Sequence, residues 1–284
     1  MVKVKSSFGK VSGKNANTIY YEVNGETIGR SKPTKMGNPK TEAQMKQRIK
    51  MNNILNMYKY IKGYLQQNFE GIIGNKNASS FFRSYNLMKT PVWLTKEHKE
   101  ACKFVLAPYV VAQGRINSVG YEFKDGAFVS DINVGDLEIN DETKETVLSS
   151  VVCANNEGWT NNDTLQIILL KQKRIGSSEE NVELPKCCSF TITLDKTSMT
   201  KISDIPVLES MSQMPRFSLC SVDGKLAVRV ADTEEYTYAF AIVHGRGQGR
   251  DKIVSSQQLC LSDNALYDSY CSKEAFDKAY ESYK

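Results

Sequence analysis

Phe217-Ser218-Leu219-Cys220-Ser221-Val222-Asp223-Gly224-Lys225-Leu226-Ala227-Val228-Arg229-Val230 is the stretch on which the fold class turns. Two β-prone runs flank Asp223-Gly224, and an Asp-Gly pair suits a two-residue hairpin turn whose central positions both need positive φ. The same texture recurs on either side. Segments near 105–112, 119–123, 127–133, 146–154, 164–171, 188–194, 236–243 and 252–261 are β-branched and aromatic, short, and separated by turn residues. Together with 216–221 and 225–230 they give about ten strands, the pattern of a β-sandwich or barrel-like domain.

Upstream of Pro108 the pattern changes. Asn24-Gly25, between Asn17–Val23 and Glu26–Arg30, marks a hairpin at the start of the chain. Ser31 to Pro39 holds two prolines and a glycine and reads as an extended connector. Thr41-Glu42-Ala43-Gln44 is a capping-box pattern. From it the spacing predicts a long helix to Phe69, with Met45, Ile49, Ile54, Leu55, Met57, Tyr58, Ile61 and Leu65 on or near one face. Lys46, Arg48, Lys50, Lys59 and Lys62 lie on the opposite face. A second helix is predicted from Asn77 or Ser79 to Met88, and a short third one from Thr95 to about Phe104. From Ser272 a terminal helix turns Phe276, Tyr280 and Tyr283 inward. The expected fold is α+β: a basic hairpin-and-helix module over residues 1–104, then a β-sandwich-like domain with a C-terminal helix over 105–284.

The 284 residues carry 40% apolar and 24% charged side chains, which excludes a disordered or collagen-like chain. No apolar run approaches the ~18 residues of a membrane span. The start, Met1 to Ser7, has no apolar segment behind it, so no secretory signal is expected. The net charge of +5 hides an asymmetry. Residues 1–108 hold 19 basic and 6 acidic side chains, and the remainder holds 18 and 26. Opposite halves of this kind suit head-to-tail self-association, and nucleic acid is the other partner a basic half would suit. Lys-rich helices with solvated faces give the same count.

The sequence offers little chemistry. The seven cysteines are odd in number and include no C-x-x-C pair, so they read as reduced and structural, with no metal site. His98, among Lys96, Glu97, Lys99 and Glu100, reads as part of an exposed helix face. The pairs Asp141-Glu142, Glu179-Glu180 and Glu234-Glu235 fall in polar turns and do not make a positioned acid and base. His244-Gly245-Arg246-Gly247-Gln248-Gly249-Arg250 lacks the following helix that a phosphate loop needs. It reads instead as a loop between antiparallel strands, tipped by Arg246 and Arg250. Tyr20, Tyr21, Tyr58, Tyr60 and Tyr64 lie near basic residues, as in single-strand binders, but the helical ones follow the apolar face. No catalytic residue, cofactor or metal is expected. The candidate interaction surface is Arg30, Lys32, Lys46, Arg48 and Lys50, with Arg246 and Arg250 in the loop.

Gly9-Lys10-Val11-Ser12-Gly13, Arg30-Ser31-Lys32-Pro33 and Asn38-Pro39-Lys40-Thr41-Glu42-Ala43-Gln44 carry a resemblance. Over its first ~100 residues the chain resembles an uncharacterised family of Bacteroidota genomes and their phages. The aromatic helix from Phe81 to Asn86 and Val110-Val111-Ala112-Gln113-Gly114 fit the same pattern. The chain departs from it in Lys35-Met36-Gly37 and in fewer aromatics near Tyr20. The phage setting implies a virion or assembly component, made in the bacterial cytoplasm and located in the particle. The expected function is therefore a non-enzymatic structural subunit of a tailed phage, a ring or connector of the tail or neck, partnered by its own copies and other virion proteins. The alternatives are a nucleic-acid-binding protein using the basic module, and a carbohydrate- or surface-binding β-sandwich. Trp93 and Trp159 are the only tryptophans, which counts against the last.

Overall fold

A computed structural model describes residues 2–3, 13–15, 17–23, 26–32, 40–71, 77–89, 91–139, 143, 146–160, 163–174, 182–194, 201–202, 217–247 and 249–284. The Asn24-Gly25 turn, the connector from Pro33 to Pro39, Asp141-Glu142, Glu179-Glu180 and most of the Gly9–Gly13 string lie outside the described residues.

The chain opens with β1 (Val2–Lys3), β2 (Gly13–Asn15), β3 (Thr18–Val23) and β4 (Glu26–Ser31). β3 and β4 pair antiparallel from Thr18 opposite Ser31 to Val23 opposite Glu26, as the hairpin reading requires. β1 and β2 extend the pair into a sheet of order β1-β4-β3-β2.

Three helices follow: α1 (Glu42–Leu65), α2 (Ala78–Asn86) and α3 (Lys96–Glu100). Thr41 caps α1 by accepting from Gln44 N, and Asn77 caps α2 by accepting from Ser80 N. Met45, Ile49, Ile54, Met57, Ile61 and Leu65 are buried as the periodicity predicts. Asn52, Asn53 and Asn56 are buried with them, which hydropathy does not anticipate. Asn52 Nδ2 donates to the Tyr283 hydroxyl (2.8 Å), while the amides of Asn53 and Asn56 read an extended backbone. Asn53 Nδ2 donates to Val105 O (3.0 Å) and to the Tyr109 hydroxyl (3.0 Å), and Asn53 Oδ1 accepts from Val105 N (2.8 Å). Asn56 Nδ2 donates to Lys103 O (2.8 Å). Gln172 accepts from Leu106 N and donates to Phe104 O, while Asn86 does the same for Val110 N and O. Residues 103–109 thus run through the core without a strand partner. Only Val110–Ala112 (β5) of the predicted 105–112 strand is one. A buried backbone group needs a partner of some kind, and side-chain amides supply it here.

β6 (Tyr121–Lys124) and β7 (Ala127–Asn133) form a hairpin. Next comes α4 (Leu148–Asn155). The β-branched texture at 146–154 predicts a strand, and the structure corrects this to a helix. Leu148 and Val152, one turn apart, are both buried, so helical spacing wins over local propensity, and no side-chain cap announces the helix. β8 (Asp163–Lys173), β9 (Lys186–Leu194), β10 (Phe217–Val222), β11 (Lys225–Val230) and β12 (Tyr236–Arg246) follow the predicted segments closely. Asp223 and Gly224 both have positive φ (50° and 72°), as their hairpin turn demands. The predicted strand at 252–261 is instead three short pieces, β13 (Ile253–Val254), β14 (Gln257–Gln258) and β15 (Cys260–Leu261). α5 (Ala265–Ser269) and α6 (Lys273–Ser282) end the chain.

One sheet runs β10-β11-β7-β6 and a second runs β13-β12-β8-β9. Between them pack Phe128, Leu226 and Val228 from the first and Ile167, Leu169, Tyr238 and Ile242 from the second, with Phe128 stacked on Phe240 at 4.8 Å. The other face of the second sheet is covered too. Ile168, Leu170, Ala239, Ala241 and Val243 meet Ile54, Met57, Ile61, Leu65 and residues 104–107. Small residues on β12 leave room for this helical layer. The fold is α+β, and the core under the helices is built from residues on both sides of position 104. A smaller cluster, Met45, Ile49, Trp93, Phe276 and Ala279, joins α6 to the start of α1. Ile19, Tyr20, Tyr21 and Ile28 of β3 and β4 belong to none of the three clusters. Among the described residues, no helix is long and apolar enough to cross a membrane.

Candidate functional site

Of the predicted basic residues, Lys46, Arg48 and Lys50 share α1, and the others fall elsewhere. Arg30, on β4, is exposed, with its guanidinium 5.8 Å from the centre of the Tyr21 ring. Lys32 is exposed, and its backbone N donates to Asn17 O. Lys46 lies over Phe276 (5.6 Å) and Trp93 (6.0 Å), so its charge rests on the seam between α1 and α6. Arg48 is exposed and Lys50 is half-buried on the same helix. Arg250 lies in a 3-10 turn, Gly249–Asp251. Arg246 shares no contact residue with Lys46, and it is not at a loop tip. It closes β12, and its guanidinium grips Asp163 through Nε (2.7 Å) and Nη2 (2.8 Å).

That ion pair anchors the most built polar cluster among the described residues. β8 and β12 are antiparallel with Asp163 opposite Arg246. Tyr238, Phe240 and Ile242 face the space between the sheets, and His244 and Arg246 continue that face to the strand end. Asp163 is wholly buried there. It accepts from His244 Nε2 (2.9 Å), Thr160 N (3.1 Å) and Thr160 Oγ1 (2.8 Å) as well as from Arg246. Burial alone would raise its pKa. The hydrogen bonds from Arg246, Thr160 and His244 outweigh this and hold it at about 2. An ionised carboxylate only accepts, so His244 carries its proton on Nε2. Burial and the charge of Arg246 lower the His244 pKa against the raising effect of Asp163, and the lowering prevails. Trp159 stacks on the His244 ring, with centroids 4.5 Å apart.

Trp159, His244 and Arg246 line an open groove of ≈ 590 Å³, with Asp163 buried behind them. The other wall includes Arg115, Asn117 and Asp131. Arg115 is fixed by Glu70, which accepts from Arg115 N and Nε and from Val254 N. Burial would raise the Glu70 pKa, but these bonds hold it below the usual carboxylate value. Gly114 is required beside this contact, since a Cβ there would sit 2.2 Å from both Glu70 Oε1 and Val254 O.

Comparison with protein-family models, curated proteins and solved structures returns no match. The site therefore rests on its geometry. Among the described residues, no group of three or more His, Cys, Asp and Glu is placed to hold a metal ion, and none of the seven cysteines is in a disulfide. Asp163, Trp159 and Glu70 escape a reading of the sequence. Its one clue is a His-x-Arg pair ending an apolar strand, which needs an acid nearby if that end is buried.

His98 corrects the sequence reading. It is buried rather than exposed, set edge-on to Tyr270, and its Nδ1 has no hydrogen-bond partner. Burial lowers its pKa, and Lys103 adds to the effect. Both histidines thus titrate below their free value of 6.5, so the unfolded chain binds more protons than the folded one. Stability should fall as pH drops below about 6.5. A second loss should follow below 3.8, toward the folded Asp163 value of about 2. Urea midpoints measured between about pH 7.5 and pH 5 should decline, and less steeply in His98→Phe. A flat profile over that range would refute the assignment.

Proposed function

We propose that the chain is a non-enzymatic structural subunit of a tailed-phage virion, a ring or connector protein of the tail or neck. It assembles head to tail with copies of itself. The observation that carries this reading is the sheet β1–β4. It presents half-buried Ile19, Tyr20, Tyr21 and Ile28, none of which belongs to the three hydrophobic clusters. Apolar surface of this kind suits a neighbouring copy. The basic N-terminal part and the acidic remainder give the contact its polarity, and a heterologous contact that closes makes a ring. Screening limits exposed charges to ~8 Å at physiological salt, so the apolar residues must supply the burial of a stable interface.

Lys46, Arg48 and Lys50 are the charges to test. Particles produced with the triple variant Lys46→Glu, Arg48→Glu, Lys50→Glu should lack the ring or connector in negative-stain electron microscopy. Circular dichroism of the purified variant separates misassembly from misfolding. Intact particles carrying the folded triple variant would overturn the proposed role of this face.

A further inference from the structure

The groove beside Asp163 lies apart from the β1–β4 residues and from Lys46, Arg48 and Lys50 in its lining, and its walls have a composition of their own. We propose that it binds a neutral oligosaccharide of pyranose units, with Trp159 against a sugar ring and the polar wall residues on its hydroxyls. Its ≈ 590 Å³ lies within the ~300–1,000 Å³ of small-molecule sites. Its lining differs from that of an apolar-ligand pocket: Arg115, Asn117, Asp131, Glu157 and Arg246 surround a single indole. The wall holds both donors and acceptors, and hydroxyls, which both donate and accept, satisfy the two kinds together.

Charge selects a neutral ligand over an anion. Arg246 is already bound to the wholly buried Asp163, and Arg115 to Glu70. Glu157 and Asp131 add negative charge to the groove without a described ion pair. An incoming phosphate or carboxylate would meet two arginines already neutralised and two carboxylates, of which Asp131 accepts from Gly120 N. The indole is held before any ligand arrives, because Trp159 stacks on His244 and His244 is bonded to Asp163. A rigid aromatic surface with a polar rim suits the apolar C–H face of a sugar ring, and its prior ordering lowers the cost of binding.

The two tryptophans give a direct readout. Trp93 is buried against Phe276 in the α1–α6 cluster, so Trp93→Phe leaves Trp159 as the reporter of the groove. The full-length Trp93→Phe chain would be titrated with cellotriose, maltotriose and triacetylchitotriose, and with sialyllactose as an acidic control, each to about 10 mM. The expected result is a saturable change in Trp159 emission with at least one neutral trisaccharide and a weaker response to sialyllactose. By calorimetry on the otherwise native chain, Trp159→Ala should weaken binding about tenfold or more. The exposed pair Asn117→Ala, Glu157→Ala should also weaken it, with an unchanged urea midpoint. No saturable change with any neutral trisaccharide would overturn the proposal. So would tighter binding of sialyllactose, or binding that survives both sets of substitutions.

Discussion

Asn53→Ala is expected to remove about 3–5 kcal/mol of folding stability, a large share of the ~5–15 kcal/mol typical of a domain. The side chain is wholly buried, and it holds both backbone groups of Val105 and the Tyr109 hydroxyl. Alanine leaves Val105 N–H and C=O without a partner in an apolar core, at roughly 1–3 kcal/mol for each orphaned group. The higher helix propensity of alanine returns less than about 1 kcal/mol. Asn56→Ala removes a single bond, to Lys103 O, near the edge of the same layer, and should cost about 1–2 kcal/mol. Urea denaturation of the two variants checks the order. A loss below about 1 kcal/mol for Asn53→Ala would mean that residues 103–109 are not held by the α1 amides.

Asp163→Ala should cost about 2–4 kcal/mol. Removing one partner of a buried ion pair strands the other. The figure is kept below the largest values because Arg246 is 39% exposed and water can solvate part of its charge. The reciprocal change is more diagnostic. In Arg246→Met the buried Asp163 keeps only His244 and Thr160, and the repulsion that Arg246 exerts on a protonated His244 is gone. The His244 pKa should therefore rise, so that an imidazolium replaces the guanidinium as the partner of Asp163. NMR titration of the His244 ring reads this, and an unchanged or lower pKa in Arg246→Met would contradict the proposed coupling. In the native chain the contribution of Asp163 is present above pH 3.8 and is lost as pH falls through about 2.

Much of the architecture was legible from local chemistry. Asp223-Gly224 named its own turn, and the apolar stripe of α1 and the Thr41 and Ser272 caps could be read from spacing alone. Long-range contacts decided what could not be read. Val151 and Val152 look like strand residues, and only the packing of Leu148 and Val152 one turn apart makes that segment a helix. Asn53 and Asn56 look like the polar side of an amphipathic helix until an extended segment some 50 residues away needs its backbone satisfied, and Asn52 until Tyr283 brings its hydroxyl to it. The polar cluster was hidden for the same reason. Asp163 and His244 are 81 positions apart, and the β8–β12 register alone brings them together. The basic residues were visible as a charge imbalance, but composition does not distribute them among β4, α1 and the end of β12.

The proposed head-to-tail assembly in a particle is tested most directly by electron cryo-microscopy of virions from a phage whose genome carries the chain's gene. The expected density contains copies related by rotation about the particle axis, with β1–β4 of each seated on the β-sheets of the next and Ile19, Tyr21 and Ile28 buried in the contact. Absence of the chain from the virion would contradict this. So would an isolated copy whose β1–β4 sheet folds wholly onto its own β-sheets.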